Sequence, residues 1–255
     1  MMNRVVAMVI IPLLTVALTV SGCGGSGVKP TLVVSAAASL KTAFTRYGGQ
    51  FSSARARFSF AGSDALAAQI EQGVHPDVFA SANTKLPQTL YGKGLLERPV
   101  VFAANRLVLA VPASSAKITS FADVEKPGVT LSVGTASVPV GAYTQTALGK
   151  LPAAQSSAVL ANVRDREPDV TGIVGRLTEG AVDAGFLYIT DVTATDGQLR
   201  AIALPASLHP RVAYGVAVVK GTAHPRQARA FVEGLLRGHG RADLLAAGFV
   251  PAPAS

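Results

Sequence analysis

Residues 31–51, TLVVSAAASLKTAFTRYGGQF, contain a β-rich run, a short loop of small residues and a helical pattern, in that order. Residues 31–34 predict a strand. Apolar residues at helical spacing predict a helix over residues 39–51, with one face formed by Leu40, Ala43, Phe44 and Tyr47. The loop between the two elements places the Ser39 hydroxyl where the helix begins. A strand followed closely by a helix is typical of α/β folds with parallel strands.

The same alternation continues along the chain. Further strands are predicted at residues 57–60, 77–80, 105–111, 130–133, 183–189, 199–204 and 211–219, and further helices at 64–72, 140–150, 170–179, 225–237 and 241–247, with one more ending at Tyr91. The pattern restarts after Pro112. We therefore expect two similar α/β lobes, the first formed by residues 31–110 and the second by 111–210, with residues 211–255 returning to the first.

Four short loops place a hydroxyl or a bare backbone amide at the start of a helix. They are residues 36–40, 61–66, 138–143 and 169–172. A helix N-terminus offers unpaired N–H groups and a partial positive charge, and open α/β sheets bind ligands where strands end and helices begin. The loops therefore predict an oxyanion receptor whose site lies in the cleft between the lobes and needs no Lys or Arg.

The N-terminal segment has the pattern of a secretory signal. Arg4 is followed by an apolar run over residues 5–20 and then by Val20-Ser21-Gly22-Cys23, which matches a lipobox. We expect removal of residues 1–22, a lipid on Cys23, and a flexible tether over residues 23–30 that holds the protein outside the cytoplasmic membrane. Cys23 is the only cysteine, and the alternative is an ordinary cleavage site with a leftover thiol.

Composition and charge argue against nucleic acid as a partner. The chain has 255 residues and a formal net charge of +8. Its Lys and Arg residues are scattered singly, without basic runs and without interleaved aromatic residues. The net positive charge is typical of a surface that aids solubility, or of one that lies near anionic lipids.

Motifs for catalysis or metal binding are not found. The four histidines are far apart in sequence, and there is no HExxH, GxSxG or Walker A motif. Three acidic residues near position 167 alternate with Arg164 and Arg166 and predict a solvated ion-pair segment; they are Asp165, Glu167 and Asp169. We therefore expect no enzyme activity, no cofactor and no cation ligands.

Five motifs carry a resemblance to a known family. They are SAAASL at residues 35–40, FAGS at 60–63 followed by LAAQI at 66–70 and Gly73, DVFASA at 77–82, VPVGAY at 138–143, and DAGFLYITD at 183–191. In this order and spacing the chain resembles the periplasmic molybdate-binding proteins of ABC importers over nearly all of the predicted mature protein. The resemblance implies the two-lobe type II periplasmic-binding-protein fold, with the ligand cleft between the lobes.

The resemblance also implies which groups contact the ligand. These are the hydroxyl and backbone amide of Ser39 and of Ser63, the backbone amides of Val140 and Val170, and the hydroxyl of Tyr188. All are neutral donors, and a fully deprotonated tetrahedral dianion offers only acceptors. The implied ligand is molybdate or tungstate, and the implied partners are an ABC permease and its ATPase subunit, with the receptor itself a monomer.

Several alternatives remain open from the sequence. Ser39 and Ser63 are equally suited to capping helices, and Tyr188 to a place in the core. Asp64 stands where the family more often has a small neutral residue; we expect its side chain to turn outward, and the alternative is that it accepts a proton from the ligand. That alternative suits hydrogen phosphate. A phosphate or sulfate receptor, or a surface scaffold lipoprotein, therefore competes with molybdate capture.

Overall fold

The computed structural model describes residues 29–252. The predicted signal sequence, Cys23 and most of the predicted tether lie outside these residues. Within the described part of the chain, none of the helices combines the length and the apolar character that crossing a membrane requires.

The first part of the chain alternates strands and helices as predicted, except that the strand at Val100–Asn105 was not predicted. It contains β1 (Thr31–Ala37), α1 (Lys41–Gln50), β2 (Arg55–Ala61), α2 (Ser63–Glu71), β3 (Val78–Ser81), α3 (Lys85–Gly92) and β4 (Val100–Asn105). The middle part contains β5 (Leu107–Pro112), β6 (Leu131–Gly134), α4 (Pro139–Leu148), α5 (Ala153–Ala161), β7 (Val163–Glu167), α6 (Val170–Thr178), β8 (Ala184–Tyr188), α7 (Ile189–Thr193) and β9 (Leu199–Ile202). The last part contains β10 (Val212–Val218), α8 (Pro225–Arg237), α9 (His239–Ala246) and β11 (Val250–Pro251).

The strands form two sheets, and each sheet is the centre of one lobe. Lobe 1 has six strands in the order β11-β4-β10-β3-β1-β2, and lobe 2 has five in the order β7-β6-β8-β5-β9. Strand β1 pairs in parallel with β2 and β3, and strand β6 pairs in parallel with β7 and β8. Since parallel strands end at the same edge of a sheet, the loops that follow them gather at one edge of each lobe.

Helix α8 shows how the sequence closes lobe 1. Pro225 occupies the first turn, where its missing N–H costs nothing, and apolar residues recur at helical spacing. Ala228, Phe231 and Leu235 are buried, and the Phe231 ring lies 5.7 Å from that of Phe44 in α1. Full burial of a Phe or Leu side chain contributes about 1.5–3 kcal/mol, so α8 is held by this face. It joins the C-terminal segment to lobe 1, as expected.

The predicted strand over residues 105–111 corresponds to β5, but it begins two residues too early, because the chain crosses between the lobes at its start. Asn105 pairs with Val212 in lobe 1, whereas Leu107 pairs with Tyr188 in lobe 2. The expected boundary between residues 110 and 111 therefore falls within β5. In the sequence, the polar pair Asn105-Arg106 lies at the crossing and separates the apolar runs at residues 100–104 and 107–111.

The predicted solvated ion-pair segment is also wrong, since residues 163–167 form the edge strand β7. Asp165 accepts a hydrogen bond from the Ser132 hydroxyl at 2.5 Å, and both Asp165 and Glu167 pair with Arg176 of α6. Asp165 and Glu167 thus hold α6 against the sheet, and they do not pair with Arg164 and Arg166.

Candidate functional site

All five residues implied as ligand contacts line one cavity between the lobes. The cavity is small, about 20 Å³, and lies far below the roughly 300–1,000 Å³ of sites for organic ligands. Lobe 1 contributes Ala37, Ala38, Ser39, Ala61, Gly62, Ser63 and Ala82, and lobe 2 contributes Pro139, Val140, Asp169, Val170 and Tyr188. Apart from the two serines, Asp169 and Tyr188, the lining residues are glycine or apolar. Among the described residues that line the cavity, none is Lys or Arg.

Ser63 is buried at the first position of α2. Its Oγ accepts the backbone N–H of Ala82 at 3.1 Å, and its side chain does not cap the helix. A hydroxyl that accepts in this way keeps its own hydrogen for another partner. The alternative role of Ser63 as a helix cap is therefore wrong, and its O–H can donate into the cavity that it lines.

Ser39 lies in a short 3-10 turn, Ala38–Leu40, that leads into α1. Its Oγ is 2.9 Å from the hydroxyl oxygen of Tyr214 in β10, and it does not cap α1 either. The capping alternative is thus wrong for both serines.

Two helices of lobe 2, α4 and α6, begin at the cavity. In α4 the first helical hydrogen bond is donated by the Ala142 N–H to Val138, so the Val140 N–H precedes the helical ladder. In α6 the Asp169 carboxylate caps the N–H groups of Thr171 and Gly172 at 2.7 and 3.3 Å. The Val170 N–H is not one of these capped groups, and the dipoles of both helices favour an anion at this point.

Tyr188 ends β8 with its side chain fully buried. Its hydroxyl is one of two buried side-chain atoms that lack a hydrogen-bond partner among residues 29–252. Leaving a buried polar group unpaired costs about 1–3 kcal/mol. A hydroxyl of this kind, at the wall of a cavity, is suited to a partner that arrives from solution.

Burial also fixes the protonation of this hydroxyl. It raises the pKa of Tyr188 well above the ordinary value of 10.0, and the nearby Tyr214, Tyr143 and Asp191 act in the same direction. The group is therefore a neutral donor at physiological pH.

Asp191 lies beneath the site, at the start of α7. Its Oδ2 accepts the Tyr188 backbone N–H at 3.0 Å. Burial raises the pKa of Asp191 to about 7, and the charge of Asp169 adds to the rise. This carboxylate therefore titrates near neutral pH, directly behind the tyrosine.

The lobes meet closely beside the cavity. A Cβ atom at Gly62 of lobe 1 would lie 2.5 Å from the Pro168 carbonyl oxygen of lobe 2. Only glycine allows so close an approach, so glycine at position 62 permits the cleft to close.

Asp64 does not turn wholly outward as expected. Its Oδ1 is buried and, within the described chain, has no hydrogen-bond partner. Asp64 is nevertheless not a wall of the cavity. The carboxylate that does line it is Asp169. This residue begins the predicted site loop at 169–172 and was also assigned to the solvated ion-pair segment, but it was not among the predicted ligand contacts. The sequence feature that could have identified Asp169 as a residue of the site is an Asp at the N-cap position of an apolar helix.

Comparisons with known proteins agree with this architecture. The model of the bacterial extracellular solute-binding protein family matches residues 32–250. The chain belongs to this family. This solute-binding protein is 35% identical over 225 residues to the molybdate-binding protein ModA of Mycobacterium tuberculosis (strain ATCC 25618 / H37Rv), covering 86% of this chain and 84% of the relative.

Two further comparisons support the same relationship. The molybdate-binding protein ModA of Haemophilus influenzae is 33% identical over 227 residues, covering 82% of this chain and 86% of the relative. The structure of the periplasmic molybdate-binding protein of Azotobacter vinelandii superposes with a TM-score of 0.78 at 20% identity, over 87% of this chain and 100% of that one. The predicted two-lobe α/β fold and the resemblance to molybdate-binding proteins are confirmed. The family comprises solute-binding proteins of transporters and not enzymes.

Proposed function

We propose that this solute-binding protein captures molybdate, and also tungstate, outside the cytoplasmic membrane by neutral hydrogen-bond donors from both lobes. The observation that carries the proposal is the buried Tyr188 hydroxyl, which has no partner among the described residues and lines a cavity with four other donor-bearing residues. The sequence relatives named as molybdate-binding proteins support molybdate as the ligand.

The donor set suits a dianion that carries no proton. In this proposal the hydroxyls and amides of Ser39 and Ser63, the amides of Val140 and Val170, and the hydroxyl of Tyr188 donate to the ligand oxygens. Hydrogen bonds to a charged group contribute about 1.5–3 kcal/mol each, and several together offset the cost of removing the dianion from water. Selection among tetrahedral dianions then rests on the size of the cavity.

Capture requires that the lobes open and close. The chain connects the two sheets at Arg106 and again between β9 and β10, and we propose that these two connections form the hinge. Donors of both lobes then close over the ligand, and the closed monomer docks on an ABC permease that works with its ATPase subunit. Removal of residues 1–22 and a lipid on Cys23 would keep the receptor at the membrane surface.

Calorimetric titration of residues 24–255 with molybdate, tungstate, sulfate and phosphate tests the proposal. This fragment contains both sheets and their cores. We expect molybdate and tungstate to bind tightly and sulfate and phosphate to give no heat. Binding of none of the four would overturn the proposal and favour a scaffold lipoprotein.

Hydrogen phosphate is the second candidate ligand, because one carboxylate lines the cavity. Asp169 Oδ1 is occupied by two backbone N–H groups, yet a carboxylate at this wall is the kind of acceptor that a protonated oxyanion needs. Displacement of molybdate by phosphate at comparable concentration would identify this ligand instead.

A further inference from the structure

A series of linked hydrogen bonds runs through buried residues outside the cavity and ends at Ser39, which lines the cavity. The Ser39 Oγ lies 2.9 Å from the hydroxyl oxygen of Tyr214. The same Tyr214 oxygen lies 3.4 Å from Nδ2 of Asn105, which also donates to Thr190 Oγ1 at 2.9 Å. Tyr214 and Asn105 are buried and do not line the cavity.

Asn105 determines which groups donate and which accept in this series of hydrogen bonds. Its Oδ1 accepts the Arg106 backbone N–H at 2.8 Å, so Nδ2 is the amide atom that faces Tyr214. An amide nitrogen only donates, and the Tyr214 oxygen must therefore accept from it. Ser39 Oγ is the other hydrogen-bond partner of the Tyr214 hydroxyl among the described residues, and Nδ2 cannot accept, so the Tyr214 hydrogen is directed to Ser39 Oγ.

This arrangement orients the Ser39 hydroxyl. An isolated serine hydroxyl can rotate to donate or to accept, and it meets an acceptor-only ligand correctly in only part of its orientations. With one lone pair occupied by Tyr214, the Ser39 hydrogen must point to another acceptor. Ser39 lines the cavity, and hydrogen bonds in a chain strengthen one another.

Tyr214 is suited to this task because it keeps its proton. Burial raises the pKa of Tyr214 well above its ordinary value, with the charge of Asp191 acting in the same direction. Its ring is held by Phe249, 5.3 Å away, and by Tyr188, 5.9 Å away. The hydroxyl is thus held in place by packing as well as by hydrogen bonds.

We propose that Tyr214 is a positioning residue that, together with Asn105, fixes the Ser39 hydroxyl as a donor to the bound oxyanion. This inference rests on the proposed function, since Ser39 must contact the ligand for Tyr214 to act through it. Tyr214 itself touches no ligand. Its effect on affinity must therefore disappear when the Ser39 hydroxyl is absent.

A double-mutant cycle on molybdate affinity tests this dependence. The wild type, Tyr214→Phe, Ser39→Ala and the double variant are titrated calorimetrically with molybdate. We expect Tyr214→Phe to weaken binding about three- to tenfold in the wild-type background and less than twofold in the Ser39→Ala background. Tyr47→Phe is the matched control, because it removes another buried tyrosine hydroxyl, one that donates to Phe231 O in the lobe 1 core, and it should leave affinity unchanged.

The other outcomes separate the two proposals. An equal penalty for Tyr214→Phe in both backgrounds would make Tyr214 a structural residue and overturn the positioning role, while leaving molybdate capture intact. Unchanged affinity in Ser39→Ala would remove both Ser39 as a ligand contact and the role of Tyr214. Failure of the wild type to bind molybdate would overturn the proposed function itself.

Discussion

The Gly62 Cα atom faces the Pro168 carbonyl oxygen across the cleft, so closely that a Cβ atom at residue 62 would lie 2.5 Å from that oxygen. The two residues belong to different lobes, and backbone atoms cannot yield as the end of a side chain can. Gly62→Ala should therefore hold the lobes apart and weaken oxyanion binding about five- to a hundredfold, because overpacking of this kind costs about 1–3 kcal/mol. Calorimetric titration with molybdate measures the change.

Gly49→Ala provides the control for Gly62→Ala. Gly49 is an exposed residue of α1, and nothing lies within 4 Å of the position of an added Cβ. This substitution should raise stability by up to about 1 kcal/mol through helix propensity and leave affinity unchanged. Wild-type affinity in Gly62→Ala would show that the ligand-bound protein does not need this close approach.

The Tyr188 hydroxyl should affect folding and binding in opposite directions. Without ligand the group is buried and unpaired within the described chain, so Tyr188→Phe should leave the melting temperature unchanged or raise it. With ligand the same substitution removes a donor to a charged group and should weaken binding by about 1.5–3 kcal/mol. Thermal melting without anion, followed by titration with molybdate, measures both effects.

Tyr47→Phe distinguishes this pattern from a general effect of losing a tyrosine hydroxyl. The Tyr47 hydroxyl donates to Phe231 O at 3.1 Å, so its removal should lower stability by about 1 kcal/mol and leave affinity unchanged. If Tyr188→Phe lost stability in the same way and bound molybdate normally, Tyr188 would be a core tyrosine and not a ligand contact.

The sequence predicts elements well where residues with special backbone preferences bound them. Helix α8 begins at Pro225 and ends before Gly238, and the predicted and observed limits coincide. The crossing at Arg106 was missed because Asn105 and Arg106, which separate two apolar runs, were interpreted as the start of the strand that follows them. Strand β7 was missed because its charged residues lie at a sheet edge, where their partners come from α6 and from β6.

Prediction of the site was limited by the kind of group that forms it. Serines before helices are visible in a sequence, so the Ser39 and Ser63 loops could be selected on physical grounds. Val140 and Val170 offer backbone amides, which have no side-chain signature, and only the family resemblance indicates them. The contact of Ser39 with Tyr214 joins residues 175 positions apart and depends on the arrangement of β10 beside β3, which no local pattern specifies.

Asp191 should make stability depend on pH near neutrality. Its pKa rises from the ordinary 3.8 to about 7 in the folded protein, so between these values the folded chain holds a proton that the unfolded chain has lost. The stability that this group contributes is complete below about pH 3.8 and is lost as the pH rises to about 7. Asp191→Asn should therefore raise the free energy of unfolding at pH 8 and change it little at pH 4, as measured by urea denaturation.

Asp196→Asn is the control for this titration. Asp196 is an exposed residue just beyond α7 with a φ of 49°, a conformation that Asn also adopts. Its substitution should leave the pH dependence unchanged. A parallel pH dependence in Asp191→Asn and the wild type would mean that Asp191 is ionised throughout this range.

Asp64 should oppose oxyanion binding through its charge. It follows Ser63 in the first turn of α2, and Oδ1 is buried without a partner in residues 29–252. A carboxylate beside a bound dianion repels it, and the repulsion is stronger where part of the carboxylate is removed from water. Asp64→Asn should therefore tighten molybdate binding about two- to tenfold.

Glu71→Gln is the matched control for Asp64→Asn, since it removes a charge from the opposite end of the same helix, where Glu71 pairs with Lys93 at 2.8 Å. Its affinity should equal that of the wild type. If Asp64→Asn instead weakened binding, the carboxylate would be helping to hold the ligand, and a carboxylate stabilises an oxyanion only by accepting a proton from it. That result would favour hydrogen phosphate over molybdate, because a fully deprotonated dianion has no proton to donate.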